Sequence, residues 1–383
     1  MPQRTIAVVM NGVTGRMGYR QHLVRSILAI REQGGVALPD GTRIVPEPIL
    51  VGRSSDKLRE LSARHGLPRW TTDLSEALAE PDAEVYFDAQ VTGAREKAIL
   101  AAIAAGKHVY TEKPVAETVT GAVTLARAAR DAGIRDGVVM DKLFLPGLRK
   151  LRRLVDGGFF GRILSVRGEF GYWVFEGDWL QAQRPSWNYR LADGGGIVLD
   201  MFAHWNYVLE TLFGGVEAVT ARAVTHLPQR VDESGQSYVA DADDAAYAIF
   251  ELAGGIVAQV NSSWCVRVNR DELVEFQVDG TDGSAVAGLR RCRFQHRAGT
   301  PKPVWNPDLA TPEPFRSQWQ EVPDNEDFDN GFKVQWEEYL RHVVTGSAFP
   351  YDFAAAARGV QLAELGYASS REGRRIEIPP LEV

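Results

Sequence analysis

Five apolar residues, Ile6-Ala7-Val8-Val9-Met10, run directly into Asn11-Gly12-Val13-Thr14-Gly15-Arg16-Met17-Gly18, and this junction constrains the fold more than any other stretch. A short β-branched run without polar alternation suits a strand buried on both faces, as in a parallel sheet. Glycines at 12, 15 and 18 permit positive φ and close backbone approach, and a helix is expected from about Gly18 to Gln33. Amides at a helix N-terminus hold an anion, so strand, turn and helix together predict a pyrophosphate cradle. The spacing is G-x-x-G-x-x-G, one residue longer than the common G-x-G-x-x-G dinucleotide fingerprint. Asn11, Gly12, Thr14, Gly15, Arg16 and Met17 are the expected cofactor contacts in this turn.

The pattern continues as strands alternating with helices. Residues 34–43 read as a turn-rich insertion, Ile44–Val51 as the second strand and Asp56–His65 as a helix. A helix near Leu74–Ala79, strand Glu84–Asp88, helix Arg95–Ala105, strand Lys107–Tyr110, helix Thr118–Ala132 and strand Gly137–Met140 follow. This alternation predicts βαβ crossovers and an α/β fold: a doubly wound, Rossmann-type parallel sheet over residues 1–143. Residues 144–383 should form a second, α+β domain for substrate binding and oligomerisation. Long alternating runs at Ile163–Trp173, Val216–His226, Ala245–Leu252, Ile256–Trp264, Leu273–Val278 and Cys292–His296 predict its open, mainly antiparallel sheet. Helices Gly147–Val155, Ile197–Leu212, Phe332–Val344 and Phe353–Arg371 belong to the same half, the last three expected over one sheet face. The proline- and aspartate-rich stretch from Gly299 to Gly331 reads as a long ordered excursion.

Composition narrows the function. A net charge of −7 with interspersed signs argues against nucleic acid as a partner. No apolar run approaches the roughly 20 residues of a membrane helix, and the N-terminus shows no signal-peptide hydrophobic region. Two cysteines, Cys265 and Cys292, belong to no CxxC pair or histidine cluster, so a reduced, cytoplasmic protein without a structural metal is expected. The second strand ends Val51-Gly52-Arg53-Ser54 with no carboxylate at the tip for a ribose diol. Arg53 and Ser54 suit a ribose 2′-phosphate instead, so NADP is the preferred cofactor, with NAD the alternative if Arg53 is only a solvated charge.

The sharpest motif is Ala105-Gly106-Lys107-His108-Val109-Tyr110-Thr111-Glu112-Lys113-Pro114-Val115-Ala116. It resembles the A-G-K-H-V-x-x-E-K-P-x-A signature of the glucose–fructose oxidoreductase / inositol dehydrogenase / MocA-like family. Gly194-Gly195-Gly196, Asp200 and His204 resemble the family's G-G-G-x-x-x-D-x-x-x-H, and the tail from Trp336-Glu337 to Gln361-Leu362-Ala363-Glu364 is also similar. The resemblance implies a nicotinamide-dependent oxidoreductase acting on a sugar, cyclitol, sugar acid or glycoside. It implies that Lys113 contacts the substrate oxygen beside the nicotinamide, that Glu112 fixes the strand end and that Pro114 shapes the turn, often through a cis peptide.

The residue types suit that chemistry. An ammonium stabilises developing alkoxide charge, and a histidine accepts a proton near neutral pH. Asp200 and His204, at i and i+4, share one face of a predicted helix. His204 is assigned as general acid/base; Asp200 orients it or binds a neighbouring hydroxyl. Where many relatives carry T-P-N-x-x-H, this chain has Gln90-Val91-Thr92-Gly93-Ala94-Arg95. Gln90 and Thr92 are expected beside the cofactor, and Arg95 either meets a phosphate or acidic substrate group or is a helix-surface charge. Lys142 either shapes the pocket or pairs with Asp141. Trp187, Tyr189 and Arg190 are candidate sugar contacts, whereas Trp173 is expected in the core. A homodimer or homotetramer through the open sheet is expected. Two other readings stand beside this one: an imine or dihydropyridine reductase, which the turn alone resembles, and a non-catalytic NADP sensor.

Overall fold

A computed structural model describes residues 2–173, 176–179, 181–301, 308–310 and 315–383. The chain divides into two compact units, one of Met1–Phe144, Asp329–Gln361 and Pro380–Val383, the other of Leu145–Phe328 and Leu362–Pro379.

In the first unit, β1 (Gln3–Asn11) leads through the glycine turn into α1 (Gly18–Leu28), wound in the wide i→i+5 pattern and continued by one ordinary turn at Ala29–Glu32. Then come β2 (Arg43–Val51), α2 (Ser55–His65), β3 (Trp70–Thr71), α3 (Leu74–Ala79), β4 (Ala83–Asp88) and α4 (Thr92–Ala104). Strand β5 (His108–Thr111), α5 (Val119–Asp131) and β6 (Asp136–Val138) complete the alternation. The parallel strands lie in the order 3-2-1-4-5-6, the doubly wound arrangement, and the chain reverses direction between β1 and β4. Ile6, Val8, Val9 and Met10 are fully buried, as the unalternating apolar run requires. The insertion at 34–43 is a hairpin whose Val36–Ala37 pairs antiparallel with the start of β2.

The second unit begins with α6 (Pro146–Asp156), which starts on a proline suited to a first helical turn. Its sheet uses β7 (Ile163–Phe170), β8 (Val216–Val224), β9 (Ala245–Leu252), β10 (Ile256–Ser263), β11 (Val274–Gly280), β12 (Gly283–Ala287) and β13 (Cys292–His296). Their order is 13-12-11-7-10-9-8, with two-residue strands at both edges. All of these pairings are antiparallel except β7–β10, where Ser165 to Phe170 run parallel to Val257 to Ser262. Strand β12 escapes a reading by alternation because it is short and composed of small residues. Helix α7 (Ile197–Phe213) is apolar around most of its circumference and correspondingly buried. The opposite sheet face leaves Tyr247, Ile249 and Val257 exposed. Of the stretch 299–331, residues 302–307 and 311–314 lie outside the described residues. Among the described residues no helix is long and apolar enough to cross a membrane.

One expectation is corrected. Helix α8 (Gly331–Thr345) packs in the first unit, not over the antiparallel sheet. The reason lies at β6, an edge strand whose backbone needs partners. Gln335 of α8 supplies them: its side-chain oxygen accepts from Met140 N at 2.9 Å and its amide donates to Val138 O at 3.1 Å. Val138 N donates to Tyr351 O at 2.7 Å. Gly137 makes room, since a Cβ there would sit 2.7 Å from the Phe349 ring and 3.0 Å from Tyr339. Helix α9 (Phe353–Glu372) starts in this unit and finishes in the other, where Ala221 N donates to Ser369 Oγ at 2.9 Å.

The same edge holds a half-buried acid. Asp136 accepts from Phe353 N at 2.6 Å. Burial pushes its carboxyl up to about 6, the neighbouring Asp352 adding to the effect while the Phe353 N–H opposes it. The folded state therefore binds this proton more tightly than the unfolded chain, whose value is near 3.8. Its contribution to stability is full below pH 3.8 and is lost as pH rises through about 6. Relative to Asp136→Asn, wild-type stability in urea should fall by about 3 kcal/mol across that window. Parallel pH profiles for the two proteins would show that this carboxyl does not titrate as described.

Candidate functional site

The glycine turn lies at the carboxyl ends of β1, β2 and β4. Gly12 has φ +85°, and a Cβ on it would meet the Ala89 carbonyl carbon at 2.7 Å and Gln90 N at 2.9 Å. Gly12 N donates to Val51 O at 3.1 Å and Gly15 N to Gly12 O at 3.0 Å. A Cβ on Gly18 would stand 2.5 Å from Gly12 O, so the helix can begin only on a glycine. Helix α1 has no side-chain cap, whereas Ser54, Asp73 and Thr118 cap α2, α3 and α5. Uncapped first-turn amides above an all-backbone cradle fit a dinucleotide pyrophosphate.

The other cofactor candidates gather around this turn. Thr14 lies against Gly52, whose added Cβ would meet the Thr14 methyl at 3.1 Å, so the tip of β2 touches the turn. Arg53 and Arg16 are exposed there. Ser54 accepts from Lys57 N at 3.4 Å as the cap of α2, and Asp56 pairs along that helix with Arg59 at 3.0 Å. Gln90 donates its amide to Asp88 Oδ2 at 2.8 Å. Thr92 opens α4 half-buried. Arg95 is neither a surface charge nor a free anchor for an anion. It is 2% exposed, bonded to Asp88 Oδ1 at 3.2 Å, to Gln90 O at 2.7 Å and to Pro114 O.

Beyond β5 comes the half-buried Lys113, joined to Pro114 by a cis peptide bond. The preceding Glu112 is fixed by a relay that sequence reading did not anticipate. Trp336 Nε1 donates to His22 Nδ1 at 3.0 Å, which requires the His22 proton to sit on Nε2, facing Glu112 Oε1 at 2.7 Å. Glu112 Oε2 accepts from Lys113 N at 3.2 Å. Burial works to raise this carboxyl, but the His22 hydrogen bond and the charges of Lys113 and Arg95 hold it below the ordinary carboxylate range. Lys142 pairs with Asp141 at 2.8 Å.

In the second unit the triple glycine earns its place by close contact. A Cβ on Gly195 would stand 2.5 Å from Asn188 O, and one on Gly196 (φ +122°) would stand 2.6 Å from Asp243 Oδ1. These contacts bring the turn Ser186–Tyr189 beside the start of α7. On α7, His204 is 4% exposed and its Nδ1 lies 2.6 Å from Tyr207 Oη. Asp200 is held by Arg184 at 2.9 Å. Arg184 also donates to Asn188 Oδ1 at 3.2 Å and lies over the Trp264 ring at 4.7 Å, so it ties Asp200 to both. Trp187 is exposed, and Arg190 stacks over Tyr238 at 4.6 Å.

Two aromatic expectations are corrected. Tyr189 is fully buried, with the Arg230 guanidinium 4.1 Å from its ring centre, so it stands behind the surface as part of the wall. Trp173 is 38% exposed rather than core. Arg230 is itself paired with Asp244 at 2.7 Å, both side chains wholly buried. No local signal marks the relay or this pair: His22 and Trp336 are 314 residues apart, and a charged residue in a strand or loop does not announce its partner.

Residues 6–139 match the profile of an oxidoreductase family with an NAD-binding Rossmann fold, and residues 148–286 match the GFO/IDH/MocA C-terminal domain. The chain is 61% identical to a D-xylose dehydrogenase of Paenarthrobacter nicotinovorans over 380 residues, 98% of both chains. It is 27% identical to a levoglucosan dehydrogenase of Pseudarthrobacter phenanthrenivorans over 248 residues, 61% of this chain and 62% of that one. Among solved structures, a levoglucosan dehydrogenase in complex with NADH superimposes with a TM-score of 0.81 at 20% identity, covering 99% of this chain and all of the other.

Removing the relay donor should be measurable. Trp336→Phe keeps an aromatic ring but leaves His22 Nδ1 without its hydrogen bond, and should cost about 1–2 kcal/mol in thermal or urea unfolding. Unchanged stability would mean that the indole N–H fixes nothing.

Proposed function

Because the chain belongs to the Gfo/Idh/MocA oxidoreductase family, we propose that it oxidises a sugar hydroxyl, D-xylose foremost, with NADP as the preferred hydride acceptor and NAD the lesser one. As a member of that family it is a nicotinamide-dependent oxidoreductase. The likeness to a D-xylose dehydrogenase along 98% of both chains carries the choice of substrate.

When bound, the nicotinamide ring supplies the hydride acceptor. The turn Asn11–Met17 and the N-terminus of α1 hold the pyrophosphate through backbone amides. Arg53, exposed beside Thr14, holds the ribose 2′-phosphate, and the pairing of Asp56 with Arg59 turns the nearest carboxylate along its own helix. Gln90, Thr92 and Glu112 line the cofactor side.

Lys113, its backbone anchored by Glu112, places its ammonium at the substrate oxygen and stabilises the charge that develops there. His204 acts as general acid/base: Tyr207 engages Nδ1, and Nε2 is the atom assigned to proton transfer. Asp200, oriented by Arg184, binds a sugar hydroxyl. The exposed face of Trp187 receives C–H surfaces of the sugar, and Arg190 and Lys142 complete the polar contacts. The exposed apolar residues of the open sheet, Tyr247, Ile249 and Val257, suit a homodimer or homotetramer.

Purified protein given D-xylose and NADP should produce the near-ultraviolet absorbance of the reduced nicotinamide. Lys113→Ala and His204→Ala should each lower kcat by roughly 10²–10³. Near-wild-type turnover in either variant would remove the role assigned to that residue. Arg53→Ala should raise the KM for NADP about tenfold and leave that for NAD nearly unchanged. An unaltered NADP/NAD preference would overturn the 2′-phosphate assignment.

A further inference from the structure

Strand β4 ends on Asp88, a fully buried carboxylate at the point where the sheet order reverses. Its Oδ2 accepts from the Tyr86 hydroxyl at 2.6 Å and from Gln90 Nε2 at 2.8 Å; its Oδ1 accepts from Gln90 N at 3.0 Å and from Arg95 Nε at 3.2 Å. Tyr86 in turn accepts from Asn11 Nδ2 at 3.0 Å. Burial and the adjacent Asp88 raise the Tyr86 hydroxyl well above its ordinary value, so it stays protonated and keeps donating. The remaining Arg95 nitrogens reach Gln90 O and Pro114 O. One unbroken chain of buried polar groups therefore runs Asn11–Tyr86–Asp88–Arg95–Pro114. Its first member precedes Gly12 of the turn, and its last follows Lys113.

We propose that Arg95 and Asp88 form a positioning device with two arms, one setting the cofactor turn through Tyr86 and Asn11, the other setting Lys113 through the Pro114 carbonyl. The inference rests on the role proposed above for Lys113. A buried ion pair is seldom the cheapest way to stabilise a core, since apolar residues of equal volume often do as well. What the guanidinium adds is a planar fork with donors fixed in three directions, which a lysine ammonium on a flexible stem does not reproduce. Together with the Glu112 contact to Lys113 N, it pins the Lys113 backbone from both sides. A displacement of about 1 Å in a reacting group is enough to cost roughly a hundredfold in rate.

The test separates the arms. Arg95→Lys keeps the charge beside Asp88 but loses the fork; kcat with D-xylose should fall roughly 30- to 100-fold, out of proportion to any rise in the NADPH Kd read by fluorescence. Tyr86→Phe removes one oxygen and cuts the link to Asn11; the NADPH Kd should rise about tenfold. If both variants lower only the melting temperature, with kcat and Kd unchanged, the device is structural and the proposal fails. Should Arg95→Lys not fold, Tyr86→Phe decides: a raised Kd supports the proposal and an unchanged one overturns it. A wild-type protein inert toward D-xylose would sink the substrate reading, while the Kd measurement would still judge the Asn11 arm.

Discussion

The first unit is organised by the contact of two backbones. Gly12 approaches the Ala89 carbonyl so closely that a single Cβ would overlap it, at 2.7 Å. The contact occurs where β1 and β4 lie side by side and their connections leave in opposite directions, which opens a crevice above the strand ends. Because the turn is stripped to backbone, its amides and those of the uncapped α1 supply the chemistry. The side chains beside it, Thr14 and the Arg53–Ser54 tip, are the ones we propose to select the dinucleotide.

From that contact the rest of the unit can be derived in order. Ala89 is fixed because Asp88 is fixed, and Asp88 is fixed by donors from Tyr86, Gln90 and Arg95. Arg95 reaches across to Pro114, and Glu112 closes on Lys113 N while being held by His22. His22 owes its proton position to Trp336, which arrives on α8 because Gln335 satisfies the open edge of β6. The far end of the chain thus sets the tautomer of a histidine in the first helix.

Much of this architecture is legible in the sequence. The buried run at Ile6–Met10, the three glycines and the alternation of strands and helices give the doubly wound sheet, because each is a local consequence of burial or backbone sterics. Strands Ala245–Leu252 and Cys292–His296 are legible to the residue, and in the first the alternation survives into the burial pattern. What stays hidden is set by partners distant in the chain. Periodicity locates α8 but says nothing of which sheet it covers. The fate of Arg95 depends on Asp88 and Pro114, and the burial of Tyr189 depends on Arg230. Trp173 shows the converse: a large aromatic has a strong prior for the core, yet here it ends on the surface.

Among the described residues each unit carries a fully buried arginine–aspartate pair, and their placement has a common logic. Arg95–Asp88 lies beneath the segments bearing Gln90 and Lys113; Arg230–Asp244 lies beneath the segment bearing Trp187 and Arg190. In the second case Asp244 also accepts from His226 N at 2.8 Å and Leu227 N at 2.9 Å, while the Arg230 face packs on Tyr189. Desolvating such pairs is costly, and packing alone would not favour them over apolar residues. Both pairs, however, orient irregular backbone, where no ladder of hydrogen bonds is available to do so. A guanidinium bonded to a buried carboxylate can reach carbonyls or rings in defined directions, and so gives loops the rigidity that strands and helices get from their own backbone. Gln90 and Lys113 in one unit, and Trp187 and Arg190 in the other, stand on segments braced in this way, whereas His204 takes its rigidity from the helix that carries it.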